Sequence, residues 1–141
     1  MRRFEKCTTA TETTRLPQRS TEQAAGYDFY SPVSVTIGPK QWGMVRTHIK
    51  AKMAADDVLM IFPRSSMGCK KHLMLSNTVG IIDSDYYNNP DNEGNIIIAI
   101  YNYGDRAQHI DVGDKVAQGI FLKVGITADD ATAPKSHEMA E

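Results

Sequence analysis

Five short runs of β-branched and aromatic residues, each halted within nine positions by a turn former, leave this chain little choice but a fold built from sheets. VSVTI (Val33 to Ile37) alternates with period two. MVRTHI (Met44 to Ile49), VLMIF (Val58 to Phe62), IIIAIYNY (Ile96 to Tyr103) and VAQGIFLKV (Val116 to Val124) have the same β-rich make-up. Gly38-Pro39, Asp56-Asp57, Pro63, Asn88 to Gly94, Gly104-Asp105 and Gly113-Asp114 separate them, at the spacing of a sandwich or barrel. One segment, SMGCKKHLML (Ser66 to Leu75), predicts a short helix with Met67, Lys71 and Met74 on a face, weakened by Gly68. Residues 1 to 26, rich in Thr, Arg and Gln, read as irregular chain or an edge strand.

A length of 141 residues suits one domain with a real core. Boundaries fall at 1–127 for a β-barrel domain and 128–141 for a tail expected to be mobile, because ADDATAPKSHEMAE has almost no large apolar side chain. Sixteen basic residues against seventeen acidic ones provide no field that would draw the chain onto nucleic acid or an anionic membrane. The longest apolar run, Ile96 to Ile100, is far too short to cross a bilayer, and the N-terminal stretch carries no apolar signal, so a cytoplasmic location is expected. Cys7 and Cys69 lack metal-ligand spacing and are read as structurally incidental.

Four stretches join a turn former to polar groups: AAGYDF (Ala24 to Phe29), PRSSMG (Pro63 to Gly68), NTVGIIDSDYYNN (Asn77 to Asn89) and GDKVAQGIF (Gly113 to Phe121). PRSS offers a guanidinium and two hydroxyls suited to phosphate oxygens, or a serine helix cap with Arg64 paired to a carboxylate. Asp83 and Asp85 stand one residue apart, as acids do where a base or metal is needed and also in ordinary turns. Asp83 has the chemistry to deprotonate water, Asn77 to read a pyrimidine edge, and Tyr86 to offer a flat face to a sugar or base. Asp28 is a turn or cap residue or a magnesium ligand, and Gln118, set in an apolar strand, needs a ligand or a neighbouring backbone as partner.

Taken in order, AAGYDF, PRSSMG, GIIDSDY and GDKVAQGIF resemble four of the five motifs of the homotrimeric dUTPases, over about residues 16 to 124. The resemblance implies an all-β barrel or jelly roll with one short helix, assembled as a threefold trimer whose active sites combine segments of neighbouring chains. It implies hydrolysis of dUTP to dUMP and pyrophosphate by water attacking the α-phosphorus, with Asp83 as the base. Arg64, Ser65, Ser66 and Gln118 match the phosphate-binding residues. Asn77, with the backbone near Ile81 and Ile82, reads uracil, Gly80 and Ile97 are further substrate-binding positions, Tyr86 packs under deoxyribose, and Asp28 holds the water shell of Mg2+.

Three departures from the family pattern stand out. NNPDNE (Asn88 to Glu93) delays the glycine that usually follows the tyrosine, and Lys115 replaces a commoner arginine, keeping the charge but losing the bidentate fork. Thr127 to Glu141 holds no Arg, Gly or Phe, so the fifth motif, a lid over the nucleotide, has no counterpart there. Loss of one such pre-placed donor costs on the order of a hundredfold in turnover, so reduced activity is an expectation. The alternative is a dUTPase-like nucleotide-binding module acting through a regulatory protein partner, against which the Asp83, Arg64, Ser66 and Gln118 set speaks. A dCTP deaminase on the same fold is disfavoured, because IDSDY lacks the glutamate those relatives place near this hairpin.

Overall fold

The computed structural model describes residues 1–133, apart from the side chains at positions 69 and 70. The tail expected over 128–141 therefore lies, from 134 onward, outside the described residues. Every strand pairing is antiparallel, as expected where hairpins and short crossovers connect strands around one core. The largest sheet runs in the order β2 (Tyr27–Tyr30), β11 (Lys115–Lys123), β6 (Asp57–Phe62), β8 (Gly80–Asp83). A second joins β4 (Trp42–Arg46), β9 (Ile97–Asn102) and β7 (Leu73–Leu75). Two pairs complete the all-β shell: β1 (Arg3–Lys6) with β5 (Ile49–Lys52), and β3 (Val35–Ile37) with β10 (Gln108–Ile110).

Strand β9 shows how the pattern becomes packing. Ile98, Ile100 and Asn102 alternate inward while Ile97, Ala99 and Tyr101 face outward, the period of two that a half-buried strand requires. Ile98 and Ile100 join Phe29, Leu59, Ile61 and Val116 in one core, while buried Asn102 donates to the Ile37 and Arg106 carbonyls. Phe4 meets Tyr27, Phe29 and Phe121 edge-on or tilted, with ring centroids 5.2, 5.5 and 5.4 Å away, and seals the end of the core beneath the N-terminal strand.

Two expectations change. The run Met44 to Ile49 is not one strand: His48 takes φ 59°, in the left-handed region, and the chain turns a corner from β4 into β5. Thr47 closes that corner, its hydroxyl donating to the Ile96 carbonyl at 2.6 Å, while the His48 amide donates to Asn95 Oδ1 at 2.9 Å. The helix, expected over Ser66 to Leu75, is α1 (Ser65–Lys71), because His72 at φ 55° ends it and Leu73–Leu75 pair with β9. Tertiary pairing overrides a weak helical preference there.

The insertion Asn88 to Glu93 is a folded loop after a 3₁₀ turn, Ser84–Tyr86. Lys50 Nζ donates to Asn88 Oδ1 at 2.6 Å and to Glu93 Oε2 at 2.7 Å, and Glu93 also accepts from the Thr8 amide and hydroxyl, at 3.0 and 2.7 Å. The loop is thus clasped to β5 and to the segment following β1. The Lys50 ammonium first, then the Thr8 hydroxyl and amide, hold the Glu93 carboxyl down to about 2 from the ordinary 4.5. A depressed folded-state pKa contributes stability that is complete above the unfolded value and is lost as pH falls through the folded one. Wild type is expected to melt above Glu93→Gln at pH 6, with the gap closing between about pH 4.5 and pH 2 in differential scanning calorimetry. A gap independent of pH would show that the carboxylate charge is not what clasps the loop.

Candidate active site

Three adjacent strands bring the first, second and fourth motifs together. On β11, Gln118 lies opposite Asp28 of β2 on one side and Phe62 of β6 on the other. Just past Phe62, Arg64 turns back and forms an ion pair with Asp28 Oδ1, while Lys115 Nζ stands 3.3 Å from Asp28 Oδ2. Asp28 is only 4% exposed, and each of its oxygens faces a cation, the pairing that burial of a carboxylate calls for. Gln118 Nε2 donates to the Pro63 carbonyl at 3.4 Å. A Cβ on Gly26 would come within 2.7 Å of Gln118 Oε1, so that glycine permits the close approach of the β2 lead-in to the glutamine.

Of the two readings open for PRSS, the serine cap is not what forms. Arg64 occupies the N-cap position with extended backbone and no side-chain cap, leaving Ser65 and Ser66 exposed in the first turn. Arg64, Ser66, Lys71 and Lys115 line a cavity of about 260 Å³ that also contains Asp114. Sequence reasoning missed Lys71 and missed that Lys115 shares Asp28 with Arg64. A lysine in a helix has no sequence signal that says which cavity it borders.

The nucleoside candidates also converge. Asn77, Gly80, Ile81, Ile82 and Ile97 line a small cleft of about 70 Å³ between β8, the turn before it and β9. That turn is tight: Thr78 takes φ 63° and the Val79 amide donates to the Asn77 carbonyl at 2.7 Å. Asp83 ends β8, exposed, and its carboxylate caps no amide of the 3₁₀ turn it begins. Tyr86 does not line the cleft. It is half-buried against the core, and its hydroxyl donates to the Asn95 carbonyl at 2.8 Å and accepts from Asn92 Nδ2 at 2.8 Å.

These two halves do not meet within one chain. Asp83 pairs with Val58 near the start of β6, whereas Arg64 lies past its end. At ~3.3 Å per residue the two are separated by roughly 20 Å along the strand direction. The cationic corner and the cleft share no lining residue, the cleft reaching Ile61 and Gly80 while Asp83 stands exposed at the far end of the β6–β8 pair. Among the described residues no group of three or more His, Cys, Asp or Glu is placed to hold a metal ion.

Removal of Asp28 should be costly, since two adjacent cations would lose their shared counter-charge. Asp28→Ala is expected to lose about 1–3 kcal/mol in urea denaturation, less than a fully buried pair because Arg64 and Lys115 reach solvent. A change below a few tenths would mean that the pairing contributes nothing net.

Comparison with known proteins adds an independent line. A family model described as dUTPase matches residues 12–139. The deoxyuridine 5'-triphosphate nucleotidohydrolase of Lactococcus lactis is 42% identical over 120 residues, 85% of this chain and 80% of that protein. Its namesake from Actinobacillus pleuropneumoniae serotype 5b is 34% identical over 112 residues, 77% of this chain and 70% of the relative. The crystal structure of dUTPase from Streptococcus mutans superposes with a TM-score of 0.84 at 41% identity, covering 88% of this chain and 97% of that one. The dUTPase of phage phi11 of S. aureus, described with a structural Mg(II) ion, shares the fold at a TM-score of 0.76 and 21% identity, covering 98% of this chain and 99% of that one.

Proposed function

This chain belongs to the dUTPase family, and from that premise we infer that it hydrolyses dUTP to dUMP and pyrophosphate in sites shared between subunits. The observation that carries the reading is that the base cleft and the cationic cavity share no lining residue, and that Asp83 stands the length of β6 away from Arg64. A nucleotide long enough to touch a base cleft and a phosphate corner at once would be enclosed if the corner came from a neighbouring copy. The outward face of β4, β7 and β9 supports such contact. Trp42 is 61% exposed, and with Met74, Ser76, Ala99 and Tyr101 it forms an apolar hollow of about 380 Å³; Ala99 also lines the base cleft. Neighbouring subunits of a threefold trimer would cover this face.

In that assembly the Asp83 carboxylate takes a proton from water as its oxygen attacks the α-phosphorus. The bond from that phosphorus to the bridging oxygen breaks, and pyrophosphate leaves with the electron pair. Arg64, Lys115, Gln118 and the hydroxyls of Ser65 and Ser66 hold the phosphate oxygens, supplying donors where negative charge shifts. Asn77 and the backbone of Gly80, Ile81 and Ile82 recognise uracil, and the reversed polarity of cytosine would leave those groups unpaired. The Tyr86 ring lies under deoxyribose and excludes a ribose hydroxyl.

Magnesium, when bound, neutralises charge on the triphosphate. One buried carboxylate flanked by two cations fits a hydrated ion that arrives with the nucleotide, contacted through water by Asp28, better than a resident ion held by direct ligands.

Pyrophosphate release with dUTP, dCTP and UTP tests the activity. Only dUTP should turn over efficiently, and Asp83→Asn should abolish turnover, on the order of a thousandfold or more, while dUTP still binds in calorimetry. Equal loss of binding would make Asp83 structural. Sharing is tested by refolding Asp83→Asn together with Arg64→Gln in equal amounts: each alone should be inactive, and the random population should regain about a quarter of wild-type sites, about a third in each mixed trimer. No recovery in trimers shown by mass to be mixed would place both residues in a single-chain site.

A further inference from the structure

The inserted loop does more than lengthen a turn. It folds back over Tyr86 and binds both ends of that residue. At the backbone end, the Tyr86 carbonyl accepts from the Asn89 amide at 3.2 Å and from Asn89 Nδ2 at 2.7 Å. At the side-chain end, Asn92 Nδ2 donates to the phenol oxygen at 2.8 Å while that hydroxyl donates to the Asn95 carbonyl at 2.8 Å. Asn92 is itself held, its Oδ1 accepting from Gly94 N at 3.0 Å and Asn89 Nδ2 at 2.8 Å. Gly94, at φ +92°, is needed for the fold-back, because a Cβ there would lie 2.8 Å from the Tyr86 carbonyl oxygen.

The phenol thus has a donor and an acceptor within the protein and none of its directional capacity is committed to substrate. Its ring is fixed at three points: the core on one side, the loop amide at the hydroxyl and the loop at the backbone. The loop in turn is anchored to the barrel through Lys50 and Thr8. We propose that the Asn88 to Gly94 loop is a brace for the Tyr86 ring, and that Asn92 is the positioning residue that sets how strongly this enzyme rejects ribose nucleotides. A ring free to tilt would open the space a 2'-hydroxyl needs, and dUTP turnover would change less than the preference for dUTP over UTP. The inference rests on the reading of Tyr86 as the sugar-facing residue.

The test measures the ratio of kcat/KM for dUTP to that for UTP in four variants of the full chain. Asn92→Asp keeps the Oδ1 acceptor for Gly94 and Asn89 and replaces the donor to the phenol by a second, charged acceptor, so that the single phenol proton can no longer serve a tie to residue 92 and one to the Asn95 carbonyl together. Tyr86→Phe removes the same hydrogen bond from its other end, together with the one donated to the Asn95 carbonyl. Each should lower the ratio about tenfold, within the range of discrimination that one well-placed group supplies, and the double variant should lower it no further than either alone. Should Asn92→Asp fail to fold, Tyr86→Phe reads that bond together with the one to Asn95. A ratio left at the wild-type value in Tyr86→Phe, or in a folded Asn92→Asp whose melting temperature has fallen, overturns the brace and leaves Asn92 a stability residue. Tyr86→Ala separates the two readings: an unchanged ratio there overturns the sugar-facing role itself, whereas a collapsed ratio alongside normal Tyr86→Phe overturns only the role of Asn92.

Discussion

A carboxylate buried at the junction of three strands organises the cationic end of this molecule. Asp28 is nearly inaccessible, and an isolated charge in that position would be expensive enough to neutralise or unfold the site. Arg64 from the segment after β6 and Lys115 from the start of β11 prevent this, so three motifs far apart in sequence are tied at one point. The arrangement also leaves the corner with net positive charge, since two cations share one anion and Lys71 borders the same cavity. A cluster of this sign in a chain of nearly neutral total charge suits a polyanion drawn by local geometry and not by the overall field.

The opposite end obeys a different rule. There the polar groups are amides, hydroxyls and exposed carboxylates, and their positions are fixed by hydrogen bonds within loops. The Asn88 to Gly94 insertion satisfies itself largely through its own asparagines, with side-chain oxygens mimicking backbone acceptors in successive turns. This accounts for a sequence so rich in Asn at that point: asparagine both donates and accepts and tolerates the left-handed conformation seen at Asn88. The family glycine is not lost but displaced to Gly94, where the returning chain passes close to Tyr86.

Separation of Asp83 from Arg64 by the length of β6 would give subunit association a purpose. Within one chain the candidate cleft and the cationic cavity share no lining residue. Subunit association would bring complementary halves together and bury the apolar outer face of β4, β7 and β9 in the same step, coupling stability to competence. Catalysis by aligned groups depends on such placement, because ångström-scale errors in position forfeit much of the gain.

Alternation in Ile96 to Tyr103 and the β-branched runs made the all-β class legible, because a side-chain period of two needs only neighbours along the chain to be read, but short strands such as β2, β8 and β10 lie outside the five runs. The candidate residues Asn77, Gly80, Ile81, Ile82 and Ile97 were legible through motif resemblance, and the folded chain does bring them to one cleft. What could not be read were relations between distant segments. The break at His48, the end of the helix at His72, the clasp of Lys50 on Glu93 and the sharing of Asp28 between two cations all depend on which strands pair. Tyr86 is the sharpest case: its identity suggested a face for a sugar, but only the tertiary structure tied its hydroxyl to Asn92 and Asn95. Local chemistry determines what each segment is able to do, and long-range pairing decides which partner it finds.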